Sequence, residues 1–195
     1  MRYQNKRKKC LSFWHVSVLV LLLLNLLVGC ELLQERTQTQ PATAQKTTST
    51  VTDPSKMEYI VGRVVRVADG DTVTLLDANN TQHRIRLAQI DAPETKQAYS
   101  KVSKDALSKL IATKEVTVKV DGIDRYKRVL GEIFIANKNV NLYMVRNGYA
   151  WAYTQYVTDN NYFKAQEAAQ REKLGLWRDP HAIEPWEYRK QQRKR

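Results

Sequence analysis

Hydrophobic and polar residues alternate in several short stretches of the chain, and this pattern predicts β-strands. Five such stretches are found, at 59–67, 72–76, 83–90, 115–120 and 129–136. Side chains of a strand point alternately to opposite faces, so alternation suits a strand with one buried side. The short connections between them are rich in Asp, Gly and Asn, which is typical of tight turns. The pattern predicts a three-strand meander followed by two further strands.

Three other stretches repeat apolar residues at intervals of three and four, which predicts helices at 101–112, 141–147 and 162–173. An Asn stands at the start of the second helix, where Asn commonly caps. Gly148 and Gly175 lie just past the second and third helices, where glycine commonly ends a helix. The order of elements predicts an α+β fold: a five-stranded OB-type β-barrel with three α-helices.

The first 57 residues differ in composition from the rest. Residues 1–9 carry five cations and no acid, and residues 11–27 are mostly apolar, which is the form of a secretory signal. An apolar run of this length is also near the roughly 18 residues that a transmembrane anchor needs. The segment LLVGC at 26–30 favours the signal, because it resembles a bacterial lipobox with Cys30 as the lipid-modified residue. Residues 31–57 are rich in Thr, Gln, Ala and Ser, which predicts a flexible tether.

These patterns predict four parts of the chain. They are a lipoprotein signal peptide at 1–29, a tether at 30–57, a folded domain at 58–188 and a basic tail at 189–195. We expect the protein to be exported and held at the bacterial cell envelope by a lipid on Cys30. The other cysteine, Cys10, lies in the predicted signal, so the domain has to be stable without a disulfide.

The net charge of +12 is concentrated at the ends of the chain. Residues 58–188 carry 19 Lys and Arg against 17 Asp and Glu, whereas residues 189–195 carry five cations and no acid. A polyanionic partner therefore has to be argued from particular residues and not from the overall charge.

The motif DGDT at 69–72 is the first candidate for chemistry. By itself it is typical of a structural Asp-Gly turn, and no further acids follow at the spacing of an EF-hand loop. Asp71, however, enters the next strand, where a turn does not require a carboxylate. A second acid close to Asp71 would make a site for a divalent cation.

The motif DAPE at 91–94 offers that second acid. Pro93 favours an extended conformation at Ala92, so that the Asp91 carboxylate and the Ala92 carbonyl can both act as oxygen ligands. No histidine lies in either motif, which leaves a zinc or histidine-dependent site unsupported. Oxygen ligands alone favour calcium or magnesium.

Arg86 and Arg128 are candidates for binding a phosphate, since a planar guanidinium makes paired hydrogen bonds to phosphate oxygens. For any single arginine, a surface ion pair is the simpler interpretation. Arg86 and Asp91 are five residues apart, so a regular strand would point them to opposite faces. If they share a site, the strand has to bend or end near Gln89.

Five segments occur in order between residues 59 and 177: VADGDTV, RIRLAQIDAPE, DRYKRVLGEIF, NLYMVRNGYAWAY and REKLGLW. Together they resemble the thermonucleases of the staphylococcal nuclease type. The resemblance implies an OB-fold barrel with three helices and calcium-dependent hydrolysis of DNA and RNA. It implies little sequence specificity and products that carry a 3'-phosphate. We expect the protein to be a monomer.

The resemblance also implies roles for individual residues. Asp71 and Asp91 would bind calcium through their carboxylates, and Ala92 would bind it through its carbonyl. The catalytic residues would be Arg86, Glu94 and Arg128.

Some features depart from the family pattern or leave alternatives open. Lys127 replaces a glycine beside Arg128, which would cost about 1 kcal/mol or more if the position has a positive φ. Base stacking and core packing both fit four aromatic residues, Tyr126, Trp151, Tyr153 and Tyr156. A catalytically inactive OB-type nucleic-acid-binding lipoprotein is the alternative function. A surface lipoprotein whose basic tail contacts a membrane or another polyanion is a third.

Overall fold

The computed structural model describes residues 58–194. The strands are β1 (Tyr59–Val67), β2 (Thr72–Asp77), β3 (Gln82–Leu87), β4 (Ile90–Asp91), β5 (Glu115–Ile123), β6 (Val129–Ile135), β7 (Lys138–Asn139) and β8 (Trp151–Ala152). The helices are α1 (Ser100–Ile111), α2 (Val140–Arg146), α3 (Asn161–Arg171) and α4 (Pro185–Arg193), with a short 3-10 helix at Gly175–Arg178.

Five of the strands form a closed barrel, as predicted. They are hydrogen-bonded in the order β3-β2-β1-β5-β6, and β3 closes the barrel by pairing in parallel with β6. The pairing shifts register once between β1 and β2 and once between β5 and β6. Such irregularities increase the twist and bending that a sheet needs to close on itself. Outside the barrel, β4 pairs with β8 as a separate two-stranded ribbon.

The barrel interior is filled by the residues that alternate along the strands. In β3, Ile85 and Leu87 are buried whereas Arg84 is exposed, as the pattern predicts. Helix α1 contributes Leu107 and Ile111 to the same core, and both are fully buried. Burying one such aliphatic side chain contributes about 1.5–3 kcal/mol. The core can therefore stabilise the domain without a disulfide.

The three predicted helices are confirmed to within one or two residues, and the structure adds a fourth. The N-terminal cap of α2 is Asn139, whose side chain accepts a hydrogen bond from the Leu142 N–H at 3.0 Å, and not Asn141 as the pattern suggested. Helix α4 begins at Pro185, a favourable first position because the missing N–H has no partner to lose. It continues past residue 188, across the predicted start of the basic tail.

The predicted signal peptide, the lipid-modified Cys30 and the tether lie outside the described residues. Within residues 58–194, no helix is both long enough and apolar enough to cross a membrane.

Candidate active site and metal centre

A tight turn between β3 and β4 brings the candidate residues together. Strand β3 ends at Leu87, Gln89 takes a left-handed conformation with φ 65°, and the chain resumes as β4. The strand predicted at 83–90 therefore ends three residues early, and the break near Gln89 that a shared site for Arg86 and Asp91 requires is present. A buried side chain stabilises this turn: Asn141 is fully buried, and its amide nitrogen donates to the Ala88 carbonyl at 3.0 Å.

The side chain of Gln89 fixes the same turn from the outside. Its oxygen accepts hydrogen bonds from the backbone N–H groups of Thr158 at 2.9 Å and Asp159 at 2.8 Å. Its amide nitrogen donates to Glu132 on β6 at 3.1 Å. These contacts stabilise a conformation that costs about 1 kcal/mol or more for a residue other than glycine.

The centre of the site is one arginine between two carboxylates. Arg86 places its Nη2 at 2.8 Å from Asp91 Oδ1 and its Nη1 at 3.3 Å from Asp71 Oδ2. The same guanidinium donates to the carbonyls of Leu87 and Ile90, each at 2.9 Å. The exposed fraction is 11% for the Arg86 side chain, 9% for Asp71 and 2% for Asp91. The turn therefore places three charged groups in contact and mostly out of water.

The DGDT turn holds Asp71 in place. Its Oδ2 accepts a hydrogen bond from the Ala92 N–H at 2.7 Å, and its Oδ1 accepts one from the Thr72 hydroxyl at 3.1 Å. A Cβ on Gly70 would lie 1.9 Å from the Ser103 hydroxyl oxygen and 2.7 Å from the Ala92 Cβ. Gly70 is thus required because α1 and the DAPE segment approach its backbone closely.

Burial makes the negative charges of this cluster costly. It raises the pKa of Asp91 to about 6, against hydrogen bonds from Arg189, and the charge of Asp71 adds to the rise. Burial and the same neighbouring charge also raise the pKa of Asp69 to about 6. The arginines beside Asp91 partly offset this effect, because a neighbouring positive charge favours the charged carboxylate.

The donor set fits a hard divalent cation with few protein ligands. Among residues 58–194, no three or more His, Cys, Asp or Glu side chains gather as a metal cluster. Asp71 and Asp91 both reach a single guanidinium, so their oxygens lie close enough together to share a cation. With the Ala92 carbonyl they would supply three oxygen ligands and leave room for water and substrate, which is a pattern of calcium and magnesium sites.

Glu94 lies beside this cluster and is bound by an arginine from the predicted basic tail. Arg189, from α4, places its Nη1 at 2.6 Å from Glu94 Oε1 and its Nη2 at 2.8 Å from Asp91 Oδ2. Partial burial lowers the pKa of Arg189, but the contacts with Asp91 and Glu94 outweigh this effect and raise it above its ordinary value. The one sequence signal for this contact is Trp186, a large apolar residue one helical turn before Arg189.

Arg128 lies at the edge of the cluster and does not join it directly. Its Nε pairs with Asp124 at 2.7 Å, and its Nη1 lies 3.5 Å from the Thr72 hydroxyl, next to Asp71. Lys127 has a φ of 60°, so this non-glycine residue does occupy a left-handed position. The Asp124 carboxylate nonetheless accepts the Arg128 N–H at 2.9 Å and holds the loop.

The aromatic candidates divide into buried and exposed residues. Trp151 is buried and packs edge-to-face against Trp177. Tyr153 is stacked on Trp186 with ring centroids 5.2 Å apart and an interplanar angle of 4°. Tyr126 and Tyr156 are exposed. Core packing thus accounts for Trp151. Among the exposed rings, Tyr156 packs edge-to-face on Tyr153, and the Arg125 and Arg128 guanidinium groups lie over Tyr126.

The protein is thus an OB-type barrel that carries buried carboxylates beside arginines. This combination of groups is suited to binding a phosphate. The model of the family described as staphylococcal nuclease homologue matches residues 84–179. The chain is 44% identical over 144 residues to a Haemophilus influenzae protein named as an uncharacterized endonuclease, covering 74% of this chain and 81% of the relative. It is 41% identical over 140 residues to the micrococcal nuclease of Shigella flexneri, covering 66% and 80%. It is 37% identical over 145 residues to Protein ParB of Escherichia coli, covering 69% and 81%.

The chain belongs to the staphylococcal nuclease family. It is a nuclease, a hydrolase that acts on the phosphodiester bonds of nucleic acids.

Proposed function

We propose that this nuclease is calcium-dependent and hydrolyses both DNA and RNA with little sequence specificity, leaving products with a 3'-phosphate. The observation that carries this proposal is the buried pair of Asp71 and Asp91 around Arg86. Two carboxylates and a backbone carbonyl suit a hard cation, and an arginine beside them suits a phosphate.

The reaction assigns a distinct task to each charged group. Glu94 would orient and deprotonate a water molecule, whose oxygen attacks the phosphorus while the bond to the 5'-oxygen breaks and that oxygen takes up a proton. The guanidinium groups of Arg86 and Arg128 would stabilise the negative charge that develops on the phosphate oxygens. A divalent cation held by Asp71, Asp91 and the Ala92 carbonyl supplies Lewis-acid polarisation of the phosphate when bound.

The protein would act as a monomer at the bacterial cell envelope, held there by a lipid on Cys30. The sequence of the first 30 residues supports this placement, and the +2 charge balance of residues 58–188 is compatible with capture of single strands by local contacts. A lipid-anchored nuclease would work on nucleic acids outside the cytoplasm. Globomycin-type inhibition of lipoprotein processing should leave a form of higher mass, and unchanged mass would contradict the anchor.

A digestion assay with the full-length protein in a nonionic detergent tests the activity. Denatured DNA and RNA should be cleaved when calcium is added and should stay intact with a chelator. The products should resist 3'-end extension until a phosphatase is added. Asp91→Ala should abolish cleavage, whereas Asp105→Ala, which removes an exposed acid of α1, should not.

Three results would contradict the proposal. Cleavage in the presence of the chelator would remove the metal assignment. Products with a free 3'-hydroxyl would reverse the assignment of the leaving oxygen. Binding of oligonucleotides without cleavage under any condition would favour the inactive binding module.

A further inference from the structure

The C-terminal helix inserts Arg189 into the group of carboxylates that the proposed metal and water would use. Its two terminal nitrogens contact both oxygens of Asp91, at 2.8 and 3.2 Å, and one of them also contacts Glu94 Oε1 at 2.6 Å. Asp91 Oδ1 accepts a further hydrogen bond from Arg86 at 2.8 Å. A guanidinium that engages both oxygens of a carboxylate takes the positions that a cation would need.

The start of α4 is firmly attached to the domain. Pro185 is buried, Trp186 is stacked on Tyr153, and the Gln97 amide donates to the Ile183 carbonyl at 2.6 Å. Arg189 lies one turn further along the helix, on the face that points to the site. The rest of α4 beyond it is exposed. The helix is thus placed by its first turn and presents Arg189 to the carboxylates in a fixed position.

We propose that Arg189 is an autoinhibitory residue that occupies the metal-free site and has to withdraw before divalent cation and substrate can use it. This inference rests on the proposed function, because it concerns the same carboxylates. Arg189 and a cation carry charge of the same sign and compete for the two oxygens of Asp91. The Glu94 Oε1 atom is engaged by the same guanidinium at 2.6 Å, so a water molecule cannot occupy that position while Arg189 stays there.

Withdrawal requires a movement of one side chain and leaves the helix in place. The Arg189 side chain is 33% exposed, so its guanidinium has a route into solvent. Apart from the two carboxylates, the guanidinium contacts the Tyr153 hydroxyl at 3.3 Å, and withdrawal would break this contact too. Arg86, by contrast, is 11% exposed and is also bonded to two carbonyls, so it has no comparable route into solvent.

The competition predicts a change in metal affinity of known direction. If Arg189 occupies the site in about nine of ten metal-free molecules, the apparent dissociation constant for calcium is about tenfold weaker than that of the open site. Arg189→Gln should therefore bind calcium about tenfold more tightly than the wild-type protein. Lys190→Gln, which removes a neighbouring charge of the same helix that pairs with Glu187, is the matched control and should change the constant less than twofold.

The experiment is a calorimetric titration of calcium into the chelator-stripped full-length protein, with wild type, Arg189→Gln and Lys190→Gln compared. Thermal unfolding with chelator and with saturating calcium is measured on the same samples. We expect Arg189→Gln to unfold at a lower temperature than wild type in chelator and to gain more from calcium. A purely structural role would instead lower the unfolding temperature equally in both conditions and leave the calcium affinity unchanged, which would overturn the proposal.

Three other results would also overturn it, and the first two separate its failure from that of the proposed function. If wild type and Arg189→Gln bind calcium equally and both cleave DNA, only the autoinhibition is wrong. If neither protein binds calcium, the metal assignment fails as well. A fall in kcat at saturating calcium in Arg189→Gln would show that Arg189 acts on the substrate and not against the metal.

Discussion

Asn141 is the residue whose replacement should reveal most clearly how the fold supports the site. Its side chain is fully buried and makes three hydrogen bonds: from the Ile133 N–H at 3.0 Å, to the Ala88 carbonyl at 3.0 Å and to the Gly131 carbonyl at 3.1 Å. These contacts join α2, β6 and the turn before Asp91. Leucine has the same number of side-chain heavy atoms and the same branch at Cγ, but it can make none of these hydrogen bonds.

The expected cost of Asn141→Leu follows from the groups left behind. The Gly131 carbonyl keeps a hydrogen bond from the Ala88 N–H at 2.8 Å, whereas the Ile133 N–H and the Ala88 carbonyl lose the partners described above. Each buried polar group left without a partner destabilises the folded state by about 1–3 kcal/mol, and burial of the leucine methyl groups stabilises it by about 1 kcal/mol. The free energy of unfolding should fall by about 3 kcal/mol, out of about 5–15 kcal/mol for a domain.

Urea unfolding followed by circular dichroism measures this change, and Asn160→Leu is the control. Asn160 is exposed and its side chain makes no capping hydrogen bond, so its replacement should change stability by no more than about 0.5 kcal/mol. A loss of less than about 1 kcal/mol in Asn141→Leu would refute the reasoning. It would mean that water or a backbone shift satisfies the abandoned groups.

Three further predictions concern single positions. Lys127→Gly should leave the free energy of unfolding unchanged or raise it by up to about 1 kcal/mol in urea unfolding. Glycine relieves the left-handed conformation but increases the conformational entropy of the unfolded chain. A clear loss of stability would show that the lysine side chain stabilises the loop. Gly70→Ala should lower the free energy of unfolding by about 1–3 kcal/mol and weaken metal binding, because the added Cβ would collide with Ser103 and shift Asp71. Wild-type stability together with wild-type metal affinity would argue against the close approach of Ser103 to Gly70. Burial opposes the charge of Asp77, but hydrogen bonds from His83 and two backbone N–H groups lower its pKa below the ordinary 3.8. The stability that this carboxylate contributes is therefore complete above about pH 4. It is lost as the pH falls through the lower pKa of the folded state. Asp77→Asn should flatten the acid side of a pH–stability curve, and a slope equal to that of wild type would show that this carboxylate is not the source.

The chain sequence by itself determined the barrel and the carboxylates of the site. Alternation of buried and exposed residues along one strand is a local property, so the bounds of β1 and the burial of Ile85 and Leu87 could be predicted from the pattern alone. The same strand geometry required a break between Arg86 and Asp91. Motif order pointed to the family before any geometry was known.

Only the tertiary structure decided what surrounds these residues. Nothing local to Asn141 distinguishes a helix cap from a buried bridge, because its three partners come from other elements. Gly70 is small because of Ser103, which follows it by more than thirty positions. Arg189 differs most between the sequence-based expectation and the structure, because the sequence places it in a run of solvated charges. Its contacts with Asp91 and Glu94 span more than ninety residues. They form because the start of the last helix packs on the domain, with Trp186 stacked on Tyr153. A one-dimensional pattern records which face a residue prefers, but partners distant in the chain are chosen by how the elements pack.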